Sequence, residues 1–290
     1  MRVAIFGSPF QSEKLNQVWS VFNALHNLEA EIYVCRTFYN FLASTLVNPP
    51  AITGIIDSND FSADFALSIG GDGTYLRTAH RIGNKDIPIL GINTGRLGFL
   101  AEVDTVEIDA VVMDLYKRNF KISNLNQLHL SINGKSFDEY PSALNEIAIL
   151  KRDSSSMINI HASVNGEYLN GYQADGLIIA TPTGSTAYAL SVGGPIIMPA
   201  SRSLLMAPVA PHNLSARPLV LDDSAVIDLE IESRNQSFLV SLDGCSFTMP
   251  CTVKLQVTKA DYCVKAIKRQ GHTFVNTLRK KLMWGIDPRR

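Results

Sequence analysis

The sequence predicts an α/β, doubly wound N-terminal domain followed by a mostly antiparallel β domain. Up to about residue 120, short apolar runs alternate with helical patterns, as in a parallel sheet with crossover helices. Beyond Asn119 the pattern becomes short alternating strands around the tight-turn pairs Asn133-Gly134 and Asn165-Gly166. The 290 residues are 46% hydrophobic and 18% charged, which supports a sizeable core and argues against disorder.

Val3–Gly7 reads as the first strand, and Ser12–Leu28 as a helix with Leu15, Val18, Trp19, Phe22 and Leu25 on one stripe. Glu31–Cys35 is a second strand and Thr37–Leu46 a second helix, ended by Asn48-Pro49-Pro50. Phe65–Ile69 and Ile87–Ile92 are further strands, with a helix from Thr74 to His80 between them. Asp104 and Glu107 have capping-box spacing before a helix from Val106 to Lys117. Later strands are expected at Lys121–Ser123, Leu128–Ser131, Ile147–Leu150, Leu177–Ala180, Ala225–Glu232, Phe238–Leu242, Val253–Thr258 and Tyr262–Ile267. Asp243-Gly244 reads as another hairpin turn. The amphipathic stretch Thr273–Trp284 is expected to pack back on the first domain. The domains are then 1–120, joined by 273–290, and 121–272.

The net charge of −1, without a basic block, disfavours nucleic acid as a partner. No apolar run reaches the ~18 residues of a spanning helix. Arg2–Phe6 enters a strand-like run rather than a signal-peptide core, so a cytoplasmic location without membrane association is expected. Cys35, Cys245, Cys251 and Cys263 lack metal or redox spacing and read as reduced thiols. The six histidines (26, 80, 129, 161, 212 and 272) lack metal spacing too.

The chemistry concentrates in a few stretches. Ser68-Ile69-Gly70-Gly71-Asp72-Gly73-Thr74 is a strand, a glycine loop and a helix start. Such a loop aims backbone N–H groups at an anion, usually a phosphate. It lacks both the Gly-Lys-Ser/Thr of a P-loop and the third glycine of a dinucleotide fingerprint. Asp72 would repel phosphate oxygens unless it takes a proton from an attacking hydroxyl or orients magnesium; otherwise it is a helix N-cap. Gly91–Phe99 is a second glycine-rich loop at the carboxyl end of a strand, where ligands bind in such sheets. Asn145-Glu146 pairs an acceptor and a donor at a strand edge, suited to two adjacent ribose hydroxyls or to a plain solvated turn. Thr181-Pro182-Thr183-Gly184-Ser185-Thr186-Ala187-Tyr188 crowds hydroxyls onto one loop, with Tyr188 able to lie against a base. Magnesium is expected to be held mainly by phosphates rather than by a protein cage.

Taken together these stretches resemble the NAD kinase family. The matching pieces are Gly70–Thr74, Gly91-Ile92-Asn93 with Gly95-Arg96-Leu97-Gly98-Phe99, Asn145-Glu146, and Asp175-Gly176 through Thr181–Tyr188 to Gly193-Gly194-Pro195. Gly-Gly-Asp-Gly-Thr is shared with lipid kinases, and the Thr181–Tyr188 segment is the specific part. The resemblance implies the two-domain NAD kinase or diacylglycerol kinase-like fold. It also implies magnesium-dependent transfer of a phosphoryl group from ATP to the 2′-hydroxyl of the adenosine ribose of NAD, giving NADP and ADP.

Under this resemblance Asp72 is the base or orienter, and Gly71 and Gly73 admit phosphate oxygens. Arg77 neutralises phosphate charge, and Asn93 and Phe99 belong to the nucleotide site, with Phe99 against adenine. Asn145 and Glu146 hold ribose groups. Asp175, from the same or a neighbouring subunit, reaches the nicotinamide end. Thr186, Ala187, Tyr188, Ala189, Leu190 and Ser191 line the adenosine pocket. A homodimer or homotetramer joined through the β domain is implied. The chain departs from the family at Gln173, where many bacterial relatives carry a basic residue, and at Ser156. Losing a cation there should weaken contact with a product 2′-phosphate. A lipid kinase would show an exposed apolar entry or a basic patch, which the sequence lacks, and an NAD-sensing module could dispense with Asp72. A hydrolase through Ser185 lacks the Gly-x-Ser-x-Gly elbow.

Overall fold

The computed structural model describes residues 1–9, 14–95, 97–104, 107–152, 156–271 and 273–283. The chain runs through β1 (Arg2–Gly7), α1 (Leu15–His26), β2 (Glu31–Cys35), α2 (Arg36–Thr45), β3 (Gly54–Ile56), β4 (Phe65–Ile69), α3 (Asp72–Ile82), β5 (Ile89–Asn93), β6 (Val103–Asp104) and α4 (Ile108–Tyr116). It continues through β7 (Lys121–Ile132), β8 (Lys135–Ser136), β9 (Ser142–Ala143), β10 (Glu146–Lys151), β11 (Ile158–Val164), β12 (Glu167–Ala174), β13 (Gly176–Ala180) and the short α5 (Tyr188–Ser191). It ends with β14 (Ser203–Val209), β15 (Leu219–Asp222), β16 (Ile227–Glu232), β17 (Ser237–Leu242), β18 (Cys245–Pro250), β19 (Leu255–Lys268) and α6 (Phe274–Leu282). Two compact units result: Met1–Asn124 with Val264–Arg290, and Leu125–Cys263. The sequence pattern places the first division near 120 and the second at 273; the two units divide within β7 and within β19.

In the first unit the parallel order is β3-β2-β1-β4-β5, with β6 and the end of β19 also parallel to β5. Every residue of β4 and β5 is buried, which is why both strands read as mainly apolar runs, interrupted by Ser68 in β4 and ended by Asn93 in β5. Val18, Phe22 and Leu25 of α1 and Val111, Val112 and Leu115 of α4 join the same core. The chain moves outward from β1 to β2 and β3, then returns to lay β4 on the other side of β1. That reversal opens a crevice at the carboxyl ends of β1 and β4, the place where such sheets bind ligands. Gly70–Gly73 leaves β4 at this point. Helix α4 starts at Ile108 with Glu107 at its N-cap, and the expected capping box spans residues 105 and 106, which lie outside the described residues. The expected helix starts at Ser12 and Val106, the helix end at Trp284, Arg96 and His272 lie outside the described residues.

In the second unit, β12-β11-β16-β19 and β15-β14-β13-β10-β17-β18 form two antiparallel sheets. Ile227, Leu229 and Ile231 from one sheet and Ile147, Ile149, Leu177 and Phe238 from the other fill one shared core. The turns at Asn133, Asn165 and Asp243 have φ of 52°, 52° and 48°, each followed by glycine, as two-residue hairpins require. Two pairs of expected strands are single elements. Lys121–Ser123 and Leu128–Ser131 are both part of β7, whose buried Gln127 accepts a hydrogen bond from Ser142 Oγ (3.1 Å). Val253–Thr258 and Tyr262–Ile267 merge into β19, where Lys259 is 2.8 Å from Asp223. Partners distant along the chain meet the polar residues that break the sequence pattern, Gln127 through its Oε1 and Lys259 through its ammonium. β14 escapes the pattern because Pro208 lies within it, opposite Leu177.

Candidate active site

The first unit holds Asp72 rigidly. Gly71 is the extended N-cap of α3 and Asp72 its first helical residue, so the carboxylate sits at the positive end of the helix. It does not cap its own helix. Its Oδ2 accepts the Phe99 N–H (2.9 Å), and its Oδ1 accepts those of Leu100 (2.9 Å) and Ala101 (3.0 Å). A carboxylate offers about four acceptor positions, so these three bonds leave one, on Oδ2.

The glycines make this approach feasible. A Cβ on Gly98 would lie 2.0 Å from Asp72 Oδ1, so no other residue fits without displacing the carboxylate. Nothing stands within 4 Å of a Cβ on Gly71, and a Cβ on Gly73 meets only Arg77 Nη1, at 3.8 Å. The backbone at both is open to a ligand. Arg77 is exposed, with Nη2 3.3 Å from Thr74 Oγ1. Asn93 is buried and its Oδ1 accepts the Gly95 N–H (2.8 Å), so it shapes the second loop. Phe99 lies 6.3 Å from the ring of Phe274, and the Lys281 ammonium is 5.9 Å from the Phe99 ring. Lys281 also donates to the Leu97 carbonyl. Helix α6 thus braces the loop whose amides hold Asp72.

The second unit has its own cluster. Thr181 Oγ1 donates to the Leu144 carbonyl (2.7 Å) and accepts the Gly184 N–H (3.0 Å). Gly184 lies so close to Asn145 that a Cβ there would be 2.0 Å from the Asn145 carbonyl oxygen. The Thr181–Ser191 loop is thereby folded onto Asn145-Glu146. The hydroxyls that the sequence offers as ligand donors mostly build the loop itself. Ser185 Oγ donates to Pro182 O (2.6 Å), Thr186 Oγ1 to Thr183 O (3.1 Å) and Ser191 Oγ to Tyr188 O (2.8 Å). Ser185 is fully buried, which also removes it as a nucleophile. Ala187 links this turn to α5, where Ala189 is buried, Leu190 half-buried and Tyr188 exposed.

Asn145 Oδ1 and Glu146 Oε2 are buried and have no hydrogen-bond partner among the described residues. An unmet buried acceptor is costly, and a ligand hydroxyl or amide would satisfy it. Burial pushes the Glu146 carboxyl up to about 8; the nearby charge of Asp243 adds to this, and the Tyr188 N–H opposes it. Sequence reasoning missed Asp243 as more than a turn residue. Its Oδ2 accepts the Leu144 N–H (2.7 Å), and its Oδ1 those of Asn145 (2.8 Å) and Glu146 (3.1 Å). Burial pushes Asp243 up to about 6 against the pull of these three N–H groups.

Two expected residues are not brought to this cluster. Asp175 pairs with Lys151 (2.7 Å), at the opposite end of β10 from Glu146. Five residues of strand separate those ends by roughly 16 Å. Gln173 lines a separate cavity of about 550 Å³ with Asn159, Arg234 and Cys251. Among the described residues no three His, Cys, Asp or Glu side chains come together to hold a metal.

An α/β unit with a glycine–aspartate loop at its topological switch, and a unit of two antiparallel sheets carrying an asparagine–glutamate pair, define the class of a two-domain nucleotide kinase. The family models of the ATP-NAD kinase N-terminal and C-terminal domains match residues 25–120 and 144–269. An NAD kinase of Bacteroides fragilis is 51% identical over the whole of both chains. The crystal structure of an NAD kinase from Archaeoglobus fulgidus in complex with ATP has a TM-score of 0.77 at 26% identity, covering 98% of this chain and 100% of that one. A yeast NADH kinase complexed with NADH shares the fold, with a TM-score of 0.90 at 23% identity over 99% of this chain and 88% of that one. The chain belongs to the NAD kinase family and is a kinase enzyme.

Proposed function

We propose that this enzyme transfers the γ-phosphoryl group of magnesium–ATP to the 2′-hydroxyl of the adenosine ribose of NAD, giving NADP and ADP. The observation that carries the reading is the geometry of Asp72. Three backbone N–H groups fix its carboxylate and leave one acceptor position on Oδ2, suited to a single hydroxyl proton. Phosphoryl transfer needs positioning and charge stabilisation more than covalent chemistry, and an oriented base with open glycine amides supplies both. Gly71 and Gly73 admit phosphate oxygens and Arg77 offsets their charge, while Asn93 keeps the second loop in shape and Phe99 presents a ring to the base. Magnesium enters as part of the donor, carried on phosphate oxygens.

In the second unit Asn145 and Glu146 meet ribose hydroxyls with their unpaired acceptors. The backbone of Thr186–Ser191 lines the adenosine side. Asp175, roughly 16 Å of strand away from Glu146, is read as serving the site of a neighbouring subunit in a cytoplasmic homodimer or homotetramer, with Gln173 beside it. The test is purified enzyme with magnesium, ATP and NAD, read by a dehydrogenase that accepts only NADP. Signal that depends on both substrates is the expected result; ADP release without NADP would overturn the acceptor.

A further inference from the structure

We infer that Asp243 is a positioning residue for the dinucleotide, acting through the backbone of Asn145-Glu146; this rests on the reading of that pair as the ribose grip. Asp243 lies nearly a hundred residues from its partners, yet its two oxygens take three consecutive N–H groups, those of Leu144, Asn145 and Glu146. Its own N–H returns a bond to the Glu146 carbonyl (3.1 Å). Four bonds therefore tie the β17–β18 turn to the segment from Leu144 to Glu146 that enters β10. A charged acceptor makes three of them, and such bonds are the stronger kind.

The arrangement has a consequence for the side chains. An N–H row pointing at Asp243 fixes the peptide planes of residues 144 to 146, and so the direction of each Cα–Cβ bond. On the carbonyl side the same segment is held by Thr181, whose N–H meets Asn145 O (2.9 Å) and whose Oγ1 meets Leu144 O (2.7 Å). With both backbone edges occupied, Asn145 Oδ1 and Glu146 Oε2 are left without internal partners and preset for a ligand. Preorganisation of this kind lowers the ordering cost of binding. Asp243 has a φ of 48°, a conformation that Asp and Asn tolerate far better than other side chains. Asp243→Asn therefore keeps the turn while replacing one acceptor oxygen by an NH₂ that faces an N–H.

The experiment is steady-state kinetics on the wild type, Asp243→Asn, Asn145→Ala, Glu146→Ala and the Asp243→Asn/Asn145→Ala double variant. Asp243→Asn should raise KM for NAD about tenfold, the effect of roughly one lost charge-assisted bond. KM for ATP should move by less than about threefold, within the context dependence of a single bond. The double variant should cost little more than Asn145→Ala alone, because both changes remove the same grip. Additive costs, or an unchanged KM for NAD in Asp243→Asn beside a raised one in Asn145→Ala, would overturn the positioning role. An unchanged KM in Asn145→Ala and Glu146→Ala alike would overturn the ribose grip itself and this inference with it. If Asp243→Asn fails to fold, amide exchange in the wild type decides. The N–H groups of 144 to 146 should be protected without NAD, and fast exchange there would overturn the inference.

Discussion

Two aspartates, one in each unit, solve the same local problem for different ends. Asp72 and Asp243 each accept three consecutive backbone N–H groups from a segment distant in sequence. Asp72 stands at a helix start beside Gly71 and Gly73, whose backbones are open. Its remaining acceptor position can meet a substrate. Asp243 is enclosed in a hairpin turn, and burial pushes it up to about 6. It also raises the neighbouring Glu146. The same set of bonds leaves an acceptor position accessible where glycines open one side, and encloses the carboxylate where strands close it.

The largest expected effect separates these roles. Asp72→Asn should lower kcat by a factor of about 10² to 10⁴, the range for a lost general base, with NAD binding retained. If Asp72 only held its loop as Asp243 holds β10, KM would rise instead; initial rates together with calorimetric NAD binding distinguish the two. Next come the glycines that each arrangement requires. Gly98→Ala places Cβ 2.0 Å from Asp72 Oδ1, and Gly184→Ala places it 2.0 Å from the Asn145 carbonyl oxygen. Each should destabilise its unit by about 1–3 kcal/mol, typical of overpacking, as measured by urea unfolding. Gly184→Ala is expected to be the worse, because it meets rigid backbone rather than the end of a side chain.

A smaller effect concerns pH. The Glu146 carboxyl is pushed up to about 8 in the folded chain, against 4.5 ordinarily. Between those values the unfolded chain has released a proton that the folded one still holds. Stability therefore falls as pH rises through this window, by at most about 1.4 kcal/mol per pH unit. Glu146→Gln should flatten that slope in melting curves from pH 5 to 8. The smallest effect is at the brace. Lys281→Ala removes an ammonium 5.9 Å from the Phe99 ring, and should cost less than about 1 kcal/mol. No loss of stability together with an unchanged KM for both substrates would detach α6 from the first unit's loop.

Much of this molecule is written locally. The mainly apolar runs of β4 and β5 come from burial on both faces of a parallel sheet, and Asn165-Gly166 is a turn because both residues have positive φ. The sequence by itself determined the two-part architecture, the loop that presents Asp72 and the pairing of Asn145 with Glu146. These depend on side-chain periodicity and backbone freedom over a few residues. Only the tertiary structure decided that Asp72 binds amides 27 to 29 residues away, that Asp243 binds amides 97 to 99 residues away, and that the hydroxyls of Ser185, Thr186 and Ser191 turn inward to shape their own loop. It also decided that β19 is one strand across a unit boundary: Lys259 breaks the alternation, and Asp223, 36 residues away, pairs with its charge. A hydrogen bond between distant residues leaves no periodic trace along the chain, so such pairs become visible only when the strands that carry them are laid side by side.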